Sequence, residues 1–303
     1  MSSSAQSSSP SNNTSSHYQA HSAETYEQAY FYEPGAYQQY LVNLVGERLK
    51  LGIDTSSPRH ILDIGGGTGN FALALLQKYP QQHSITVLDP FLDPTTTAEN
   101  ATSSQVEFVK ESAEVFITPS DVDNEQQQQQ LSLPSWRTNF HQVLLKEVVH
   151  HLTDRIQIFQ GLYRELQSCP NALDNAIDGQ QNDFPPSLLI VTRPQIEIDY
   201  PLWDAARQVW KNNQPSAEDL CKELEEAGFT HIHQTVESYP CQISLERWKA
   251  MIQQRFWSTF SKFSNEELQQ ACSVLEKEHA HRLDDNNILH FEDRLVLISA
   301  KKL

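Results

Sequence analysis

Short apolar runs alternate with helical patterns along most of this chain, and that alternation leaves few folds open to it. His60-Ile-Leu-Asp-Ile64 reads as a strand, Asn70 to Tyr79 as a helix, and Ser84 to Asp89, Val106 to Val109 and Phe140 to Leu145 as strands. A helix from Asp154 to Gln167, a strand from Leu188 to Thr192, a helix from Ala217 to Ala227 and strands near Thr230 to Val236 and Arg294 to Ala300 follow. Strand then helix, repeated, predicts an α/β fold in which a mostly parallel sheet is covered by helices on both faces. Ser216-Ala-Glu-Asp219 marks a helix start and Gly228 its stop, and Ser264-Asn-Glu-Glu267 has the pattern of a capping box. Leu245, Trp248, Ile252, Phe256, Phe260 and Phe263 recur at helical spacing and predict one amphipathic helix over 244–263.

The first 23 residues are rich in Ser and Asn and too polar to build a core, so a disordered tail is expected there, followed by one domain over 24–303. The tail lacks the basic and apolar features of a targeting peptide. Residues 119–139, with Gln126 to Gln130, and 169–187 read as polar insertions in loops. Lys plus Arg number 22 against 39 Asp plus Glu, a net charge of −17, which opposes binding to nucleic acid or to an acidic lipid surface. No apolar run approaches the roughly 20 residues needed to cross a bilayer. Cys169, Cys221, Cys241 and Cys272 lie far apart with no CxxC pair, so no disulfide framework and no metal is expected. These features predict a soluble, cytoplasmic protein; oligomeric state is left open.

Ligands of open parallel sheets bind beyond the carboxyl ends of the strands. The first such place carries Asp63-Ile-Gly65-Gly66-Gly67-Thr68-Gly69-Asn70-Phe71. Glycines let backbone adopt positive φ and approach a ligand closely, and the helix start offers free N–H donors, which points to a nucleotide-like ligand. A dinucleotide fingerprint starting at Gly65 requires glycine where Asn70 stands, and the register starting at Gly66 fails at Thr68 and Phe71. No lysine follows the glycines, so a phosphate loop is excluded as well.

What remains, Asp63 with Gly65, Gly67 and Gly69, resembles the first motif of the class I S-adenosylmethionine-dependent methyltransferases. Asp89, twenty residues past Gly69, stands where that family has an acidic residue on the ribose hydroxyls. Phe108 to Phe116 is similar to its third-strand exit, with Ser112 where Asp is commoner. Phe140 to Leu152, with His150-His151, is similar to the fourth-strand segment of its small-molecule, UbiE-like branch, with His141 in place of the usual Asp. The resemblance implies a Rossmann-like fold with seven strands and an inserted helical cover over 194–215 and 244–285. It also implies S-adenosylmethionine as cofactor, with S-adenosylhomocysteine as product. Cofactor binding is then expected at Asp63, Gly65, Gly66, Gly67, Asp89, Pro90, Ser112, Ala113 and Lys146, with Asp63 acting chiefly to orient the glycine loop. The segment 24–56 becomes a lid of helices, turned at Glu33-Pro34-Gly35, with Tyr26 and Tyr30 facing the site.

Methyl transfer from a sulfonium asks the protein mainly to align a nucleophile and exclude water. His150 or His151 is expected to be the base that takes the acceptor's proton, since a neutral histidine suits that task near neutrality. The expected partner is a small-molecule methyl acceptor with an N, O or S nucleophile. Tyr37, Arg193, Trp203, Arg255 and Trp257 are its expected contacts, a mixture suited to one anionic group and some apolar surface. The alternatives are a cofactor-binding scaffold without turnover, because Ser112 and His141 depart from the common pattern, and an NAD-dependent oxidoreductase, which lacks its glycine fingerprint here.

Overall fold

The computed structural model describes residues 35–53, 58–80, 83–92, 105–117, 140–167 and 185–302. Tyr26, Tyr30, the N-terminal tail, the insertion at 119–139 and all but 185–187 of that at 169–187 lie outside the described residues. Seven strands make one sheet: β1 (His60–Ile64), β2 (Ser84–Leu88), β3 (Val106–Val109), β4 (Gln142–Lys146), β5 (Ser187–Thr192), β6 (Thr230–Ser244) and β7 (Ile288–Lys301). Their order is β3-β2-β1-β4-β5-β7-β6, parallel through β5, with β7 antiparallel to both neighbours. This is the expected Rossmann-like arrangement, with the β1–β4 neighbours forming the switch point where such folds hold their ligands.

Each face of the sheet buries a separate apolar core. On one side, helices α1 (Ala36–Arg48) and α2 (Asn70–Lys78) lay Tyr37, Leu41, Val45 and Leu75 over Ile61, Ile85, Leu144 and Leu189. On the other, α3 (Ala113–Ile117), α4 (Arg155–Glu165) and α6 (Ala217–Glu226) lay Phe116, Phe159, Leu162, Leu220 and Leu224 over Leu62, Val143, Leu145 and Leu188. The helix ends follow from local chemistry. Asp154 and Ser216 accept the backbone N–H of Gln157 and Asp219, and Gly228 stops α6 at φ 100°. His141 proves useful where a carboxylate was expected: its Nδ1 accepts the His60 N–H at 2.9 Å, tying the entry of β4 to that of β1.

A third core stands above the carboxyl edge. It is built by α5 (Asp204–Asn213), α7 (Leu245–Gln253) and α8 (Asn265–Glu278) around Trp210, Trp248, Phe260 and Leu275. Its base is a pair of strands longer than the apolar runs predict: β6 continues to Ser244 and β7 begins at Ile288, so Cys241, Ile243, Leu289 and Phe291 reach up into the cover. The capping box at Ser264 and Glu267 starts α8 as expected. The single helix expected over 244–263 is not formed. It ends at Gln253 in a Schellman motif, with Phe256 N–H on the Met251 carbonyl, Arg255 N–H on that of Ile252, and Arg255 at φ 53°. A 3-10 turn, Ser258–Lys262, follows. Past the break Phe256 and Trp257 are both buried in the third core.

Candidate active site

Side chains alternate between faces along a strand, so the face of Ile61, Leu144 and Leu189 continues to whatever stands two or four residues on. On β1 that is Asp63, past β2 it is Asp89, at the end of β4 it is Lys146, and past β5 it is Arg193. On antiparallel β7 the same face runs through Leu297 and Leu295 to Asp293. The apolar core of that face therefore ends, at the carboxyl edge, in five charged residues.

Asp63 is buried, and both of its carboxylate oxygens lack a hydrogen-bond partner among the described residues. Burial pushes its pKa up to about 7, against the pull of Lys146 and with the nearby charge of Asp89 raising it further. The expected role of Asp63 in orienting the glycine loop is not carried by hydrogen bonds, since the loop donates none to it; the two meet by packing instead. A Cβ on Gly66 would lie 2.6 Å from Asp63 Oδ2 and 2.9 Å from Val87, and one on Gly65 2.6 Å from Val148. Gly67, at φ 56°, faces open space. Its N–H donates to Asp89 Oδ2 at 3.0 Å, and the Phe91 N–H donates to Asp89 Oδ1 at 2.8 Å. Burial raises the pKa of Asp89, and these two N–H groups partly offset the rise. The Lys146 ammonium sits 4.9 Å from the centre of the Phe71 ring. Pro90 is exposed, Ala113 is buried, and Ser112 Oγ accepts the Val115 N–H at the start of α3.

His150 and His151 form a 3-10 turn with Val149 just past β4, their ring centres 3.9 Å apart. His150 Nδ1 is buried without a partner among the described residues. Burial first, and the neighbouring His151 second, hold the His150 pKa well below the usual imidazole value, so the ring is neutral at physiological pH.

The expected substrate contacts separate into two groups. Arg193 and Tyr37 come together, but not as an open anion site. Asp293 takes Arg193 Nε and Nη2 at 3.0 Å each, Glu147 takes Nη1, and the hydroxyls of Tyr37 and Tyr200 both donate to Asp293. The reading of Arg193 as an anchor for an anionic acceptor is therefore corrected: its guanidinium is already held by two carboxylates. Trp203, Arg255 and Trp257 belong to the cover. Trp203 stacks on Phe260, and Trp257 is buried among Tyr200, Trp210 and Trp248 rather than standing off an apolar stripe. Arg255 Nη2 donates to the Phe263 carbonyl at 2.9 Å, closing the loop after α7. The sequence reading passed over Glu147, Tyr200 and Asp293. A hydrophilic residue on the inward phase of the final strand was the one legible signal for Asp293, and nothing local announced the other two.

A family model for a methyltransferase domain matches residues 36–234. The chain belongs to the methyltransferase-domain family. No curated protein sequence matches this methyltransferase. Among solved structures it is similar to a methyltransferase from an antibiotic biosynthesis pathway of Anabaena variabilis, at 14% identity and TM-score 0.53, over 87% of this chain and 97% of that one. It is also similar to phosphoethanolamine N-methyltransferase 2 of Haemonchus contortus, at 17% identity and TM-score 0.51, over 95% of this chain but 58% of that one. These likenesses concern the fold. No group of three or more His, Cys, Asp or Glu side chains among the described residues of the methyltransferase is placed to hold a metal ion.

Proposed function

We propose that this S-adenosylmethionine-dependent methyltransferase moves the methyl group to an N, O or S atom of a small molecule by in-line displacement. The observation that carries the reading is the buried Asp63 carboxylate without donors, set beneath a glycine turn whose Gly67 opens on empty space. An unsatisfied buried carboxylate is costly, and a cationic, N–H-bearing ligand relieves that cost. The residues fit the cofactor: Asp63 and the turn Gly65, Gly66 and Gly67 would hold its methionine end, Asp89 its ribose, and Ser112, Ala113 and Pro90 would border its base. Lys146 and, from the lid, Tyr26 and Tyr30 complete this assignment. Bound there, S-adenosylmethionine supplies an electrophilic methyl carbon on a sulfonium leaving group.

The rest of the task falls to the chain. The third core meets the carboxyl edge at Tyr200, which packs on Trp210 and Trp257 and bonds Asp293, and water excluded there would strengthen charge interactions. His150, neutral and with a buried nitrogen, or its neighbour His151 takes the acceptor's proton. A net charge of −17 disfavours nucleic acid as the acceptor, and the Haemonchus protein was solved with phosphomonomethylethanolamine and S-adenosylhomocysteine. The test has two stages. S-adenosylhomocysteine, and not NAD, is expected to raise the melting temperature. His150→Gln and His151→Gln are then assayed for turnover at unchanged cofactor affinity; a loss of about 100-fold in one of them is expected, and full activity in both removes the proposed base.

A further inference from the structure

Glu147 holds a backbone conformation that its residue type does not favour. Five described non-glycine residues have positive φ: Lys50, Glu147, His231, Arg255 and Asn287. Lys50 and Arg255 stand just past the ends of α1 and α7, His231 lies in the bulge of β6, and Asn287 turns the chain into β7. Glu147, at φ 58°, ends no helix and lies in no bulge; it directly follows β4, a central parallel strand. The left-handed conformation strains a residue that carries a Cβ, and such strain persists only where the surroundings hold it.

Two groups on or just past β5 hold it here. The Val191 carbonyl accepts the Glu147 N–H at 2.8 Å, and Arg193 Nη1 donates to Glu147 Oε2. Arg193 is itself fixed. Asp293 accepts its Nε and Nη2 at 3.0 Å each, a two-pronged pairing that sets the plane of the guanidinium, and the hydroxyls of Tyr37 and Tyr200 donate to the same carboxylate. Side-chain exposure is 0% for Asp293 and 3% for Arg193, so water does not compete for these bonds.

What this turn delivers is the next residue. Val148 Cγ2 lies 2.6 Å from the place a Cβ on Gly65 would take, with Gly65 at φ 71° and its N–H on the Leu88 carbonyl at 2.8 Å. Val148 therefore backs the first glycine of the turn assigned to the cofactor. Its carbonyl accepts the His151 N–H at 2.8 Å, which closes the turn carrying the two histidines. A change of φ at Glu147 redirects the chain that follows it, Val148 first. We infer that Arg193 is a positioning residue for the cofactor: through Glu147 it holds the left-handed turn after β4 and so keeps Val148 against Gly65. The inference rests on the methyltransferase reading above and deepens it. Neither Arg193 nor Glu147 has to touch a ligand in this role.

The full chain, held well below its melting temperature, is titrated calorimetrically with S-adenosylhomocysteine as wild type and in three variants at position 147. Glu147→Ala removes the bond to Arg193 and keeps the strain, and affinity is expected to fall about 5-fold or more. Glu147→Gly removes both, and is expected to recover most of that loss because glycine takes positive φ without steric cost. Glu147→Gln keeps an oxygen for Arg193 to bond and is expected to retain most of the affinity. Arg193→Lys lacks the fork that spans Asp293 and Glu147 together, so it should weaken binding as Glu147→Ala does, and adding Glu147→Gly should restore it. A merely structural role would lower the melting temperature of these variants and leave their affinities alike. Wild-type affinity in Glu147→Ala overturns the inference. So does equal weakening in all three variants at 147, which would make the charge of Glu147 the operative feature. If Arg193→Lys does not fold, the three variants at 147 decide alone. Absence of heat in the wild type overturns the reading of the cofactor site, and the inference with it.

Discussion

Asp63 is the residue on which stability and binding pull in opposite directions. Its folded pKa of about 7 lies above that of an unfolded aspartate, so the unfolded chain loses its proton first as pH rises. The free protein is therefore penalised progressively from about pH 4 to about pH 7, and by a constant amount above that, on the order of a few kcal/mol. Asp63→Asn removes the charge while keeping the shape. At alkaline pH it is expected to raise the melting temperature of the free protein above wild type, with the gap closing toward pH 5, and to weaken S-adenosylhomocysteine binding by about 10-fold or more. A variant less stable than wild type at all pH values would show that the carboxylate is satisfied in the free state. On the proposed reading the same trade-off accounts for a residue so poorly provided with partners in a core strand: the ligand would complete the unsatisfied site.

The cover is a separate core on a long two-stranded stalk, and its elements depend on one another more than on the sheet. Trp248 is fully buried on α7, and its indole N–H donates to the Pro201 carbonyl at 2.9 Å, joining α7 to the segment that leaves β5. Trp248→Ala is expected to cost about 3–5 kcal/mol within this unit. Hydrogen exchange should quicken in α7, α8 and the outer halves of β6 and β7 while β1, β2 and β4 keep their protection, and KM for the acceptor should rise more than that for the cofactor. Uniform loss of protection across the sheet would mean that cover and sheet unfold as one. The helix break at Arg255 belongs to the same unit. The apolar spacing from Leu245 to Phe263 was visible in the sequence, but a Schellman stop without glycine, here with Arg255 at φ 53°, has no local signature.

Across the molecule, the amino edge of the sheet is pinned by neutral histidines. His83 is buried, with Nδ1 accepting the Arg59 N–H at 3.3 Å and Nε2 directed at the Leu51 carbonyl, also at 3.3 Å. Burial first, and the charge of Arg59, lower its pKa; burial and Arg59 likewise lower that of His141. With folded values below the unfolded one, the unfolded chain binds protons first as pH falls. Stability is thus complete above about pH 6.5 and lost below it. Asp63 acts in the opposite sense over part of this range, so the informative quantity is a difference. His83→Asn is expected to lie about 1–2 kcal/mol below wild type at neutral pH, with the gap narrowing toward pH 5 in denaturant titrations; a constant gap would show that His83 does not titrate on unfolding.

The order of strands and helices, the glycine turn, Asp89 and the His150-His151 pair were legible in the sequence. Period-two and helical alternation, glycine at positive φ and capping side chains are local effects, carried by neighbours along the chain. Only the tertiary structure decided what Arg193 does: Asp293, a hundred residues further along the chain, takes two of its nitrogens and Glu147 the third. Those assignments come from charges brought together at the edge of a sheet by β4, β5, β7 and α1, where burial favours a guanidinium and carboxylates that hold one another.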